Sequence, residues 1–179
     1  RMPELRAAQA FELKSLAHRE LGQFTEAVDA CQNLWKEGMP EAVRRRGLLL
    51  TLQLAVRHAA PLDIPQFLFQ SKSALKGDSL SAAQVALGDM QLIKLQQNLH
   101  AEKRLTQKNL LEKSRGLYNA ALGSTFSGFA QIGLAWNAWQ KEQYGESHKI
   151  FAQAATKPIN ARERNRALFK AMESAFLAG

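Results

Sequence analysis

Leu21-Gly22-Gln23-Phe24-Thr25-Glu26-Ala27 joins two amphipathic runs through a turn of two or three residues. Upstream, helix-favouring residues run from Glu4 to Leu21 and stop at Gly22. Downstream, Phe24 opens a second run that continues to Glu37, with Gly38 just past its end, where a missing Cβ relieves left-handed strain. The same punctuation recurs along the chain. A third helix starts at Pro40, continues to His58 and is closed by Pro61; its Leu48, Leu49, Leu50, Leu52, Leu54 and Val56 cover more than one face, which predicts extensive burial.

A fourth helix spans Ile64 to Lys76 and ends at Gly77, and Asp78 and Ser79 offer a cap to a fifth that extends to His100. A polar stretch from His100 to Arg104 leads into a sixth, Leu105 to Leu122. Gly123-Ser124-Thr125 separates it from a seventh, Phe126 to Lys141, and the eighth runs from Tyr144 to Thr156 before Lys157-Pro158. Asn160 with Glu163 three residues on is a capping-box-like start for the ninth. That helix carries Ala167, Leu168, Ala171, Met172, Ala175 and Phe176 as one apolar stripe. No stretch alternates with period two long enough for a strand. About nine helices with short turns predict an all-α fold, either a bundle or a stack of helical hairpins.

Internal repetition decides between those two. The quoted stretch resembles the centre of a tetratricopeptide repeat (TPR). Gly22 takes the place of the small turn residue, Phe24 of the aromatic that begins the second helix, and Ala27 of the small residue that lets the helices pack closely. Leu134-Ala135 through Gln143-Tyr144-Gly145-Glu146-Ser147, with Phe151, Ala154 and Pro158, resembles a second copy. Phe176-Leu177-Ala178-Gly179 resembles the end of a further first helix. Phe24 and Tyr144 lie 120 positions apart, not a whole multiple of the family period of about 34, so the middle repeats are degenerate or lengthened. The resemblance implies a right-handed α-solenoid of antiparallel hairpins over residues 1–179, a single repeat domain and a fragment of a longer protein.

Such arrays bind extended peptides or partner helices on a concave face lined by the first helix of each pair. The family register places Phe129, Ile132, Trp136, Trp139 and Gln140 there on the seventh helix, and Gln9, Glu12, Leu16, Arg19 and Glu20 on the first. Two tryptophans at i and i+3 share a face and suit a binding hot spot, or else pack as core. Arg44, Arg45 and Arg46 form a basic patch that could clamp an acidic partner, or a solvated face with one arginine lying over apolar surface.

The chain has 179 residues, 46% of them hydrophobic, and a formal charge of +8 from 24 Lys and Arg against 16 Asp and Glu. The basic residues are spread out, with Arg44 to Arg46 and Arg162, Arg164 and Arg166 as the tight groups, which disfavours a nucleic-acid footprint. The single cysteine, Cys31, excludes an intrachain disulfide framework and reads as a small core filler. His18, His58, His100 and His148 are isolated, no phosphate-cradling loop follows a strand, and no metal or cofactor is implied.

These features point to a non-catalytic scaffold or adaptor for a protein or peptide partner. The resemblance adds a larger bacterial-type assembly in secretion, polysaccharide export or regulation. The alternative is a basic helical-repeat regulatory domain that binds nucleic acid or an acidic partner; an enzyme with an unrecognised site is a third class. Arg1-Met2-Pro3 leads straight into amphipathic helix with no targeting segment, favouring the cytoplasm over the periplasm. Membrane contact is expected only through a missing segment or a partner, and the terminal helices could pair two copies.

Overall fold

A computed structural model describes residues 2–36, 38–58, 60–97 and 104–179. Among these residues there are nine α-helices and no strand: α1 (Met2–Glu20), α2 (Phe24–Gln32), α3 (Glu41–His58), α4 (Ile64–Ala74), α5 (Asp78–Gln97), α6 (Arg104–Ala121), α7 (Ser127–Gln140), α8 (Tyr144–Ala155) and α9 (Ala161–Ala178). None of them is long and apolar enough to cross a membrane. The expected C-terminal end of the second helix at Glu37, and the stretch from His100 to Lys103, lie outside the described residues. Backbone packing groups the chain into two compact units, residues 1–83 and 84–179, with the division inside α5.

In the first unit, α1 packs on α2, α2 on α3 and α3 on α4. Ala8, Ala27, Val28, Cys31, Leu34, Leu54 and Ala60 form its core, with Phe11, Phe24, Val43 and Leu50 against them. The second helix is shorter than its sequence pattern predicts. After Gln32 the chain tightens into a 3-10 turn, Asn33–Trp35, which swings Trp35 inward to donate from its indole N–H to the buried Thr51 hydroxyl at 3.1 Å. A buried indole needs that partner, and only the tighter turn supplies it. The turn lies so close to α3 that a Cβ on Gly47 would sit 2.5 Å from the Leu34 Cβ.

Helix α3 is less buried than its leucine content predicts. Leu48, Leu52 and Leu54 are buried, whereas Leu49 and Val56 are exposed. Positions 49 and 56 are two helical turns apart on one side, and that side faces away from the core. Helix α4 starts at a cap in which Asp63 accepts from the Gln66 amide at 3.0 Å.

In the second unit, α6 packs on α7, α7 on α8 and α8 on α9. The fully buried Tyr118 ring of α6 is clasped between Gly88 of α5 and Gly133 of α7; a Cβ at either glycine would overlap it. Its hydroxyl donates to Asp89 at 2.7 Å. Buried Asn137 of α7 donates to the Leu111 carbonyl and to the Ser114 hydroxyl of α6, both at 2.7 Å, so its amide nitrogen is satisfied. The predicted cap on α9 is present: the Asn160 side chain accepts from the Glu163 amide at 2.9 Å. The α9 stripe is corrected. Ala167, Ala171 and Ser174 face inward, while Leu168, Phe169 and Met172 are exposed and Phe176 is 85% exposed. Ser147 of α8 meets Ser174 hydroxyl to hydroxyl at 3.3 Å, a separation that leaves room only for small residues between the helices.

Candidate functional site

Helices α1 and α3 enclose an open groove of about 410 Å³ within the first unit. Helix α1 contributes Gln9, Glu12, Leu13, Leu16 and Arg19, and α3 contributes Arg46, Leu50, Gln53, Arg57 and His58. Apart from the adjacent residues Leu13 and His58, both sets step by three or four residues, so each is one face of its helix. Four residues expected on the concave face from the first helix thus line one groove with Arg46 from the basic run. Glu20, expected beside them, pairs with Arg19 at 2.8 Å.

The groove carries charged and apolar side chains together. Arg46 Nε and Glu12 Oε1 form an ion pair at 3.1 Å; the arginine side chain remains 68% exposed and the glutamate 24%. An ion pair that open to water holds its arginine weakly. Among the described residues, no carboxylate pairs with Arg57. The His58 ring stacks on Phe24 with centroids 3.9 Å apart and planes 6° from parallel, so one of its faces is already taken. Beneath the groove, buried Ser15 lies 3.0 Å from the Cys31 sulfur. Burial pushes the Cys31 thiol above its ordinary range, against the opposing hydrogen bonds of Ser15 and Thr51. A buried, protonated thiol is an inert core group.

The basic run does not act as one patch. Successive helical residues point about 100° apart. Arg46 reaches the groove, Arg45 donates to the Ser79 hydroxyl at 3.0 Å, and Arg44 is half-buried with its Nε buried and without a hydrogen-bond partner.

Helix α7 presents a different surface. Trp136 and Trp139 are half-buried and meet edge to face at 6.0 Å; Trp136 also packs on Phe151 at 5.6 Å, and Trp139 on Tyr144 at 5.2 Å. The Lys170 ammonium of α9 lies 5.0 Å from both indole centroids and is paired with Glu173. A cation this close to two indole centroids is attracted by both rings and ties α9 to α7. Ile132 packs on the same cluster, Phe129 packs on the neighbouring one, and Gln140 is half-buried at the helix end. His148 donates from Nδ1 to the Ala171 carbonyl at 2.9 Å, since a carbonyl can only accept, and so clips α8 to α9.

Leu50, Gln53, Arg57 and His58 were not anticipated by the repeat register, because α3 carries no turn-and-aromatic motif to anchor one; Leu13 of α1 was not among the register positions. The spacing Arg46, Leu50, Gln53, Arg57 was nevertheless legible as one helical face. No group of three His, Cys, Asp or Glu that could hold a metal ion occurs among the described residues. The other displaced titrations belong to Asp89 and Tyr118. Burial raises the Asp89 carboxyl, with the Tyr118 hydrogen bond pulling it down; burial and the nearby carboxylate hold Tyr118 above the ordinary phenol range. No protein-family model, curated protein or solved structure matches this chain significantly.

Proposed function

We propose that the chain is a TPR-like right-handed solenoid that serves as a non-catalytic scaffold, holding a segment of a partner protein in the α1–α3 groove. The observation that carries this reading is the groove itself. Side chains from two helices that are not neighbours in sequence converge on one open surface that carries both leucines and arginines.

Two further features support the hairpin-array reading. Packing in each unit joins elements adjacent in the chain, as a quasi-one-dimensional stack requires. The α1–α2 and α7–α8 turns also share one hydrogen-bond pattern. Gln23 N–H donates to the His18 carbonyl at 2.8 Å and Gly22 N–H to Arg19 at 3.0 Å; Gln143 N–H donates to Ala138 at 3.0 Å and Glu142 N–H to Trp139 at 2.9 Å. Both are Schellman turns, and in each the small residue four positions after the turn glutamine, Ala27 or Ser147, is fully buried.

The test is selection of peptides from a random displayed library against the intact chain, followed by measurement on a Leu16→Arg/Leu50→Arg variant of unchanged helical circular dichroism. Peptides that bind the wild type and lose the variant carry the reading. A selection without binders, or binders indifferent to the variant, removes the groove from consideration.

A further inference from the structure

The groove's charge pattern specifies its occupant more narrowly than its shape does. Resting on the peptide-groove reading above, we propose that the α1–α3 groove selects an acidic partner segment: carboxylate side chains at both ends of a central apolar residue.

Three arginines line the groove against one glutamate, Glu12. Arg19 and Arg57 each stand one residue before the end of their helices, Glu20 and His58; Arg19 already donates to Glu20, so Arg57 is the guanidinium at this end without a carboxylate partner among the described residues. Arg46 lies eleven residues before Arg57 on α3. Eleven residues is three turns to within about 20°, so both arginines share a face, roughly 16 Å apart along the helix. Between them Leu13, Leu16 and Leu50 offer apolar surface. A segment seated on those leucines excludes water from the arginines, and excluding water strengthens the need for a counter-charge.

Arg46 has donors to spare. Its Nε faces Glu12 in an exposed ion pair, and a guanidinium carries further N–H groups in a fork that fits a second carboxylate. An extended ligand covers the distance between the two basic ends in about five residues, and a helical ligand in about eleven. Single-stranded nucleic acid would instead want free aromatic faces for its bases. His58, the ring lining this groove, is already stacked on Phe24.

The test is fluorescence anisotropy on the intact chain with three labelled peptides of one length. One has Leu at its centre flanked by Asp and Glu, one replaces the acids by Asn and Gln, and one replaces them by Lys. A labelled oligo-dT is the fourth probe. The expected result is acidic-peptide binding about tenfold or more tighter than the neutral isostere, weakening as salt rises. Arg46→Glu/Arg57→Glu should lose that binding with its helical signal intact and gain the Lys peptide. Equal binding of acidic and neutral peptides overturns the charge selection and leaves the peptide groove standing. No binding by any of the three peptides overturns the groove reading too, and so does oligo-dT binding that depends on the same arginines without peptide binding.

Discussion

The α1–α2 and α7–α8 hairpins solve the same backbone problem and then part company at the side chains. Both turns close with the same two reversed hydrogen bonds and both bury a small residue at the crossing. In the first, the left-handed position is Gly22, with φ of 73°; in the second it is Glu142, with φ of 61°. The face beside the first hairpin is open and carries Glu12, Leu16, Arg19 and Arg46, whereas the face beside the second is filled by Trp136, Trp139 and Lys170. A shared turn therefore says how two helices pack. It does not say whether the surface they present is free for a partner.

The largest expected effect lies on the filled side. Trp136→Ala should cost about 3 kcal/mol, because the ring packs on Phe151 and Trp139 and holds Lys170, whereas Leu16→Ala in the open groove should stay within about 0.5 kcal/mol. Urea unfolding followed by far-ultraviolet circular dichroism measures both, and equal losses would erase the distinction between the two faces.

The next contrast is at the crossings. Ser147 donates to the Ala135 carbonyl at 3.0 Å and meets Ser174, so Ser147→Ala should cost about 1 kcal/mol. The reciprocal Ala27→Ser places a hydroxyl among Val28, Cys31 and Leu34, and should cost about 1–3 kcal/mol unless the hydroxyl finds a partner. If Ala27→Ser is neutral, the first crossing is looser than its full burial implies.

At the turns the signs should be opposite. Glu142→Gly relieves a left-handed side chain and is expected to stabilise by about 1 kcal/mol; Gly22→Ala imposes that strain and should destabilise by about as much. Thermal melts of the two variants settle the matter, and shifts of the same sign would mean that the turns are not equivalent.

The last contrast is read along pH and concerns Tyr118, the buried ring of the second unit. Its folded-state titration is raised, so the folded state keeps the proton after the unfolded chain has released it. The stabilisation is complete below the ordinary phenol value of about 10 and is lost as pH rises beyond it. Tyr118→Phe should therefore flatten the alkaline limb of the stability profile above about pH 10, measured by urea midpoints. An unchanged limb would assign alkaline unfolding to other groups.

Helix positions were legible because they rest on local chemistry. Gly22, Gly38 and Gly77 all adopt positive φ at or beside helix ends, and Asn160 caps α9. The face formed by Gln9, Glu12, Leu16 and Arg19 was legible for the same reason, since residues three or four apart on a helix must share a side. The partner of that face was not. Arg46 and Arg57 sit on α3, and nothing local to α1 identifies α3 as the other wall. The shortened second helix escaped notice because the Trp35 indole needed Thr51, sixteen residues away.

The same division explains the tryptophans and α9. Spacing alone put Trp136 and Trp139 on one face, equally suited to a partner or to the core. Lys170, 34 residues beyond Trp136, lies against both rings, a contact that no local spacing announces. The stripe on α9 was likewise real as a periodicity, but close approach at Ser147 and Ser174 admitted its small members and left Leu168, Met172 and Phe176 outside. By itself the sequence determined where most helices begin and end, the end of α2 excepted, and which residues share a helix face, because capping, turn strain and the 3.6-residue period act within a few residues. Only the tertiary structure decided which faces meet and which stay open, because that depends on volume and hydrogen-bond partners brought from distant parts of the chain.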